Sequence, residues 1–339
     1  MVLAHVTDSW TRDADRATEP FYVVLFIAGV ASPLFLFLAG VATAMSAASK
    51  ARREGGHGIG AQMARRRGWE IFGLGLVFRL QSQVLGLGPL ANMFKVDMLN
   101  VMGLSIVAAS YLWQVSERPR TRIALFAAAA GAVAMVTPIV REVAWLAALP
   151  DPLEAYLRPA GPYAAFPIFP WAGFLFAGVV VGDLVDAVRQ SPRRQVLLQN
   201  GLAIVGGAGV IAAWFASFQP SIYESASFWH DSPTFFFIRL GLIALLVPSS
   251  WVLAQLLPAR VLQPFATMGR SSLFVYWIHV ELVYGVLADP IKRALPLWLA
   301  LTGTAVLALG LYLIVLWKNR LLDRHELRGP WRLLAPVVR

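Results

Sequence analysis

Apolar residues along this chain come in runs of about twenty, the length needed to cross the hydrocarbon core of a bilayer as a helix. Nine such segments are read: Phe21–Ala47, Trp69–Gly88, Met98–Val115, Ile123–Val140, Tyr163–Gly182, Val196–Gln219, Phe235–Leu257, Phe265–Ala288 and Leu295–Trp317. Short polar stretches separate them, and no linker divides the series. The pattern predicts an all-α polytopic membrane bundle, nine full spans in one domain over residues 1–339, ending in a basic tail at 318–339. A shorter apolar stub, Met1–Val6, runs into His5, Asp8 and Trp10 and is read as a partial first span. The expectation there is that Met1 is an internal start and that part of a first helix is missing.

The segment Phe265–Ala288 departs from its neighbours. A helix advances 100° per residue, so Ser272, Tyr276 and His279 at i, i+4 and i+7 fall on one face. An ionisable group at membrane depth is costly and marks a site facing the protein interior or a wet cavity. Elsewhere, Gly178-xxx-Gly182 and Gly206-Gly207 suit close helix packing. Trp69, Trp113, Trp145, Trp298 and Trp317 lie near span ends, as an interfacial belt requires.

Composition supports the same class: 58% hydrophobic and 14% charged residues, with a mean hydropathy of +0.63. The net charge of +10 is not a nucleic-acid signal, because the basic residues sit between apolar runs. Counted by loop, nineteen lie on one side and seven on the other, with Arg79, Arg239 and Arg270 inside spans completing the 29. By the positive-inside rule the richer side, with the C-terminus, is cytoplasmic. The basic, partly apolar tail is expected on the inner leaflet. The chain has no cysteine, which excludes disulfides, acyl-cysteine intermediates and thiolate metal sites. It shows no metal-ligand spacing and no signal-peptide pattern.

The candidate acid–base groups are His5, His279, Asp8, Asp97 and Glu281, since a histidine near its ordinary pKa can take and return a proton. Arg79, Arg239 or Asn100 could stabilise a developing acyl oxyanion. Arg79 and Asp97 can equally be a buried ion pair. His57, in the run Gly55–Gly60, is expected to be solvated, and His230 beside Asp231 to lie at the surface. The glycine run lacks the lysine and hydroxyl residue of a phosphate loop. Arg65–Arg67 is most simply a topology determinant, and guanidinium forks also suit phosphate.

Five blocks resemble one family. MVLAHVTDSW at Met1–Trp10, SPLFLFLAGVATAMS at Ser32–Ser46, KVDMLNVMGLS at Lys95–Ser105, FPIFPWAGFLFAGVVVG at Phe166–Gly182 and MGRSSLFVYWIH at Met268–His279 are similar, in order, to the heparan-α-glucosaminide N-acetyltransferase catalytic-domain family and its bacterial relatives. The resemblance implies a bacterial inner-membrane enzyme that takes an acetyl or acyl group from cytoplasmic acyl-coenzyme A. It delivers the group to an extracytoplasmic amine or hydroxyl, such as a sugar or glycan. Carried over, the catalytic residues are His5, His279 and Asp8. Arg65, Arg66, Arg67, Arg79 and Arg270 would meet the co-substrate acetyl-CoA; Asp97, Asn100, Tyr276 and Arg239 would line the substrate cavity. No resident cofactor or metal is implied, and a homodimer is compatible. The upstream arginine-glycine part of the first block is missing, and His5-Val-Thr-Asp-Ser-Trp10 matches the family's loop histidine only in spacing. The alternative from the same intramembrane charges is a small-solute or proton-coupled transporter.

Overall fold

The structure is a computed structural model that describes residues 1–86, 90–164 and 166–324. Among the described residues it is helical, with no strand beyond two isolated bridges. The helices are α1 (Val2–Trp10), α2 (Asp13–Arg16), α3 (Glu19–Ala28), α4 (Ala31–Glu54), α5 (His57–Gly86) and α6 (Met98–Gln114). They continue as α7 (Pro119–Glu142), α8 (Asp151–Glu154), α9 (Ile168–Val188), α10 (Pro192–Ser217) and α11 (Pro233–Leu256). The last are α12 (Ala259–Arg270), α13 (Ser272–Tyr284) and α14 (Leu297–Arg324). The tail beyond Arg324 lies outside the described residues.

Among the described residues, six stretches are long and apolar enough to cross a membrane: Glu19–Glu54, Pro119–Glu142, Ile168–Val188, Pro192–Ser217, Pro233–Leu256 and Leu297–Leu322. The first is interrupted at Gly29-Val30, where α3 ends before α4 begins. The other three expected spans are also helical, but of different kinds. α5 carries Arg65, Arg66, Arg67, Glu70 and Arg79 along its length. α6 has only 17 residues. The segment 265–288 is not one rod: it breaks at Ser271 (φ −104°, ψ 24°), where α12 stops and α13 begins. Proline opens several helices, at Pro119, Pro192 and Pro233, where its missing N–H costs nothing.

The chain forms two compact units, one made of 1–31, 84–86 and 252–339, the other of 32–83 and 87–251. In the second unit, α9 is the central element, packed against α6, α7 and α10. Its glycines bring backbones together as the Gly178-xxx-Gly182 spacing predicts. A methyl at Gly178 would overlap the Phe37 carbonyl of α4, and one at Gly182 would lie 2.8 Å from the Val41 carbonyl. Gly206 of α10 likewise faces Gly241 of α11, each within 2.9 Å of the other's carbonyl once a Cβ is placed. Without hydrophobic drive between helices in lipid, such close approach supplies the packing.

In the first unit, α1 lies against α13 and α14. Val6 and Trp10 of α1 bury with Val283 and Ala300. The side-chain donors Ser9 Oγ and Trp10 Nε1 both give hydrogen bonds to the Val283 carbonyl, at 3.1 and 3.3 Å. That carbonyl lies in the last turn of α13, where helix oxygens lack internal partners. Asp15 of α2 accepts from the Leu297 N–H at 2.7 Å, capping the start of α14 from outside.

Candidate active site

The polar face of α13 differs slightly from its expected register. Tyr276, His279 and Val283 are buried, His279 completely, whereas Ser272 is exposed and Ser271, at the break, is buried instead. The face is set by i, i+3 and i+7, so the expectation held for Tyr276 and His279 and missed by one residue at the N-terminus.

His279 faces His5 of α1. His279 Nε2 lies 3.0 Å from His5 Nδ1, and the rings are nearly parallel at 9° with centroids 4.9 Å apart. The other nitrogen of His279, Nδ1, is 2.7 Å from the Val275 carbonyl one turn earlier. A carbonyl only accepts, so Nδ1 carries the proton; in a neutral pair Nε2 is then bare and accepts from His5 Nδ1–H. His5 Nε2 is left with a lone pair. The tautomer follows from the bonding partners.

Tyr284, the last residue of α13, completes the surroundings. Its ring lies edge-on to His5 at 5.4 Å, and its hydroxyl donates to Asp8 Oδ2 at 3.0 Å. Asp8 is also paired with Arg16 at 3.2 Å and is half exposed. Asp8 therefore joins the cluster through Tyr284; among the described residues it has no hydrogen bond to either histidine. Tyr276 packs edge-on against His279 at 5.8 Å. Sequence reasoning missed Tyr284; its position five residues after His279 carries no helical-face signal.

The remaining candidates divide between the units. Arg270 is exposed at the end of α12 in the first unit. In the second unit, Arg65 donates to Gln114 at 2.8 Å and lies 4.0 Å above the Tyr111 ring, while Arg66 and Arg67 pair with Glu70. Arg79 and Asp97 form the foreseen buried ion pair at 3.2 Å. Asp97 also caps α6: its carboxylate accepts from Leu99 and Asn100 N–H, and the Asn100 side chain accepts from Asp97 N–H, a reciprocal capping box. Arg239 sits over Phe235, one turn away on α11, at 4.0 Å.

Two expectations are corrected in the second unit. His57 is not free in solvent: it is only partly exposed, with its Nε2 2.7 Å from the Trp113 carbonyl and its ring parallel to the indole, 5.6 Å away. Arg122, counted as a loop charge, is buried and forms two bonds of 3.1 Å to Asp183, under the Trp113 ring. The signal was present: Asp183 is an acid closing an apolar run, and a basic partner was needed. His230 is at the surface as expected, beside Ser227. Among the described residues, no cluster of three or more His, Asp or Glu could hold a metal.

Comparison with known proteins adds one finding. The sequence profile of the family described as heparan-alpha-glucosaminide N-acetyltransferase, catalytic, matches residues 1–220. The matched region contains His5, Asp8, Arg79, Asp97 and Asn100 and ends before Arg239, Tyr276 and His279. No curated protein and no solved structure matches the chain significantly.

Proposed function

Because the chain belongs to the heparan-alpha-glucosaminide N-acetyltransferase catalytic family, we propose that it is an integral membrane acyltransferase with His5 as its working base. The observation that carries this reading is the His5–His279 pair, 3.0 Å apart, with Val275 holding the tautomer. The donor is an acyl-coenzyme A reached from the cytoplasm, and the acceptor an amine or hydroxyl, of a sugar or glycan, on the opposite side. The proposed topology is nine spans in a bacterial inner membrane, with the basic loops and C-terminus inside.

His5 Nε2 takes the proton of the acceptor N–H or O–H as that atom attacks the thioester carbonyl. The carbon–sulfur bond then breaks, and the proton on His5 passes to the departing thiolate. While His5 is positively charged, its Nδ1–H bond to His279 Nε2 becomes charge-assisted and stronger. His279 is thus a positioning residue that also steadies the imidazolium, the part a carboxylate plays in serine hydrolases. Arg65, Arg66, Arg67, Arg79 and Arg270 remain the candidates for the donor's phosphates, with Asp97, Asn100, Tyr276 and Arg239 for the acceptor's cavity.

The test is acetyl-coenzyme A binding and turnover by the purified full chain in liposomes, wild type beside His5→Ala. Binding retained with turnover lost in the variant supports the proposal. A folded wild-type protein that neither binds nor turns over acetyl-coenzyme A sinks it and returns the transporter to consideration.

A further inference from the structure

The second unit contains a cavity that the catalytic reading does not use. Its volume is about 660 Å³, within the span of about 300–1,000 Å³ usual for small-ligand sites. The wall on α10 is a stripe of small residues, Gly209, Ala213 and Ala216; Met135 of α7, Phe237 of α11 and Phe228 of the α10–α11 connection close it. Gly209, Ala213 and Ala216 stand at i, i+4 and i+7, so one helix face is hollowed along its length.

The lining chemistry narrows the occupant. Gln219 lines the cavity from an exposed position, and the other polar side chains there are engaged within the protein. Tyr223 donates from its hydroxyl to the Met135 carbonyl at 2.7 Å, Ser217 donates to the Trp214 carbonyl at 2.6 Å, and Ser232 and Thr234 bond each other at 2.6 Å. What these groups present to an incoming molecule is therefore mostly carbon, which suits neither a sugar nor a nucleotide. All three helices that form the walls are among those long and apolar enough to cross a membrane. Beside the cavity, Ile211, Trp214, Phe215 and Phe218 are exposed, an apolar surface that lipid would cover.

We propose that this cavity binds one hydrocarbon chain of a bilayer phospholipid, laid along the small-residue face of α10. The site is independent of the His5–His279 pair and of the acyl-transfer reading.

Gly209 provides the test, because a Cβ there meets nothing within 4 Å: a larger side chain enters the cavity without striking the backbone. The full chain is reconstituted with phosphatidylglycerol bearing a photoactivatable diazirine on one acyl chain, and labelled peptides are mapped by mass spectrometry. In the wild type the label is expected on residues 209–237 above the level on the exposed α14 positions Val306, Leu309 and Leu313. Gly209→Leu should remove that excess, Gly209→Ala should reduce it less, and Gly201→Leu, on the same helix but outside the cavity, should leave it intact. Size-exclusion profiles of the variants confirm folding. The proposal is overturned if labelling is even across α10 and α14, if Gly209→Leu labels as the wild type does, or if residues 209–237 crosslink to a second copy instead.

Discussion

Val275 and His279 are joined within one turn of α13, carbonyl to Nδ1, at 2.7 Å. That bond decides which nitrogen of the next imidazole is free, since it leaves His279 Nε2 to accept from His5 Nδ1–H. A backbone oxygen cannot change roles, so the polarity of the pair is fixed by the fold.

His5→Ala should lower kcat by about 10²–10⁴-fold, the usual weight of a general base. His279→Gln should keep more activity than His279→Ala, because the amide oxygen can still accept from His5 Nδ1–H. Acetyl transfer measured at saturating donor checks both. Equal kcat in His279→Ala and wild type would remove His279 from the mechanism.

Asp8 and Tyr284 can be separated from the base. Tyr284→Phe keeps the ring against His5 and deletes only the hydroxyl bond to Asp8. If Asp8 acts only through that bond, Tyr284→Phe and Asp8→Asn should lower kcat by similar, small factors. Loss in Asp8→Asn as deep as in His5→Ala would instead place Asp8 at the reacting atoms.

Arg122 and Asp183 are a buried pair whose members cannot be left singly. Arg122→Met should destabilise by about 3–5 kcal/mol, since it strands a carboxylate in the interior. The double change Arg122→Met with Asp183→Leu should recover much of the loss. Unfolding in mixed micelles followed by tryptophan fluorescence reads the difference; single and double variants of equal stability would show that the charges carry no such penalty.

Gly178→Ala should destabilise by at least about 1–3 kcal/mol, because its methyl meets the Phe37 carbonyl where two backbones touch. Gly201→Ala, with nothing within 4 Å, should be neutral or stabilising by up to about 1 kcal/mol through helix propensity. Thermal unfolding of the two variants side by side distinguishes packing from propensity.

Asp15 gives a pH signature outside the spans. The Leu297 N–H, and then the Arg12 guanidinium, hold its carboxyl below the ordinary range. A lowered folded-state value adds stability above the unfolded carboxylate's pKa, and that stability is lost as pH falls through the folded value. Asp15→Asn should therefore lower Tm at neutral pH, with the gap closing in acid. A gap that persists unchanged in acid would mean the carboxylate charge is not the cause.

Much of this was legible in the sequence, and the exceptions have physical reasons. Apolar run length located the helices, and ionisable residues in apolar surroundings marked His279, Arg79 and Asp97. Run length cannot report a break such as that at Ser271, because the residues on both sides remain apolar. Charge counting by loop misassigned Arg122, whose neighbours Arg118 and Arg120 made it look like part of a surface cluster. The Tyr284–Asp8 link joins residues 276 positions apart, which no local period reveals. Val275 acts through its backbone, so its side chain carries no trace of its role.

The interruption at Ser271 also sets the azimuth of α13. Lys318 of α14 donates to Ser271 Oγ at 2.8 Å at one end, and His5 of α1 meets His279 eight residues on. At about 1.5 Å and 100° per residue, these two moorings are about 12 Å apart along the axis and about 80° apart around it. A rod held at two points from two directions can neither spin nor slide freely. One residue inserted between them would swing the histidine about 100° away from its partner, although every side chain of the pair would still be present.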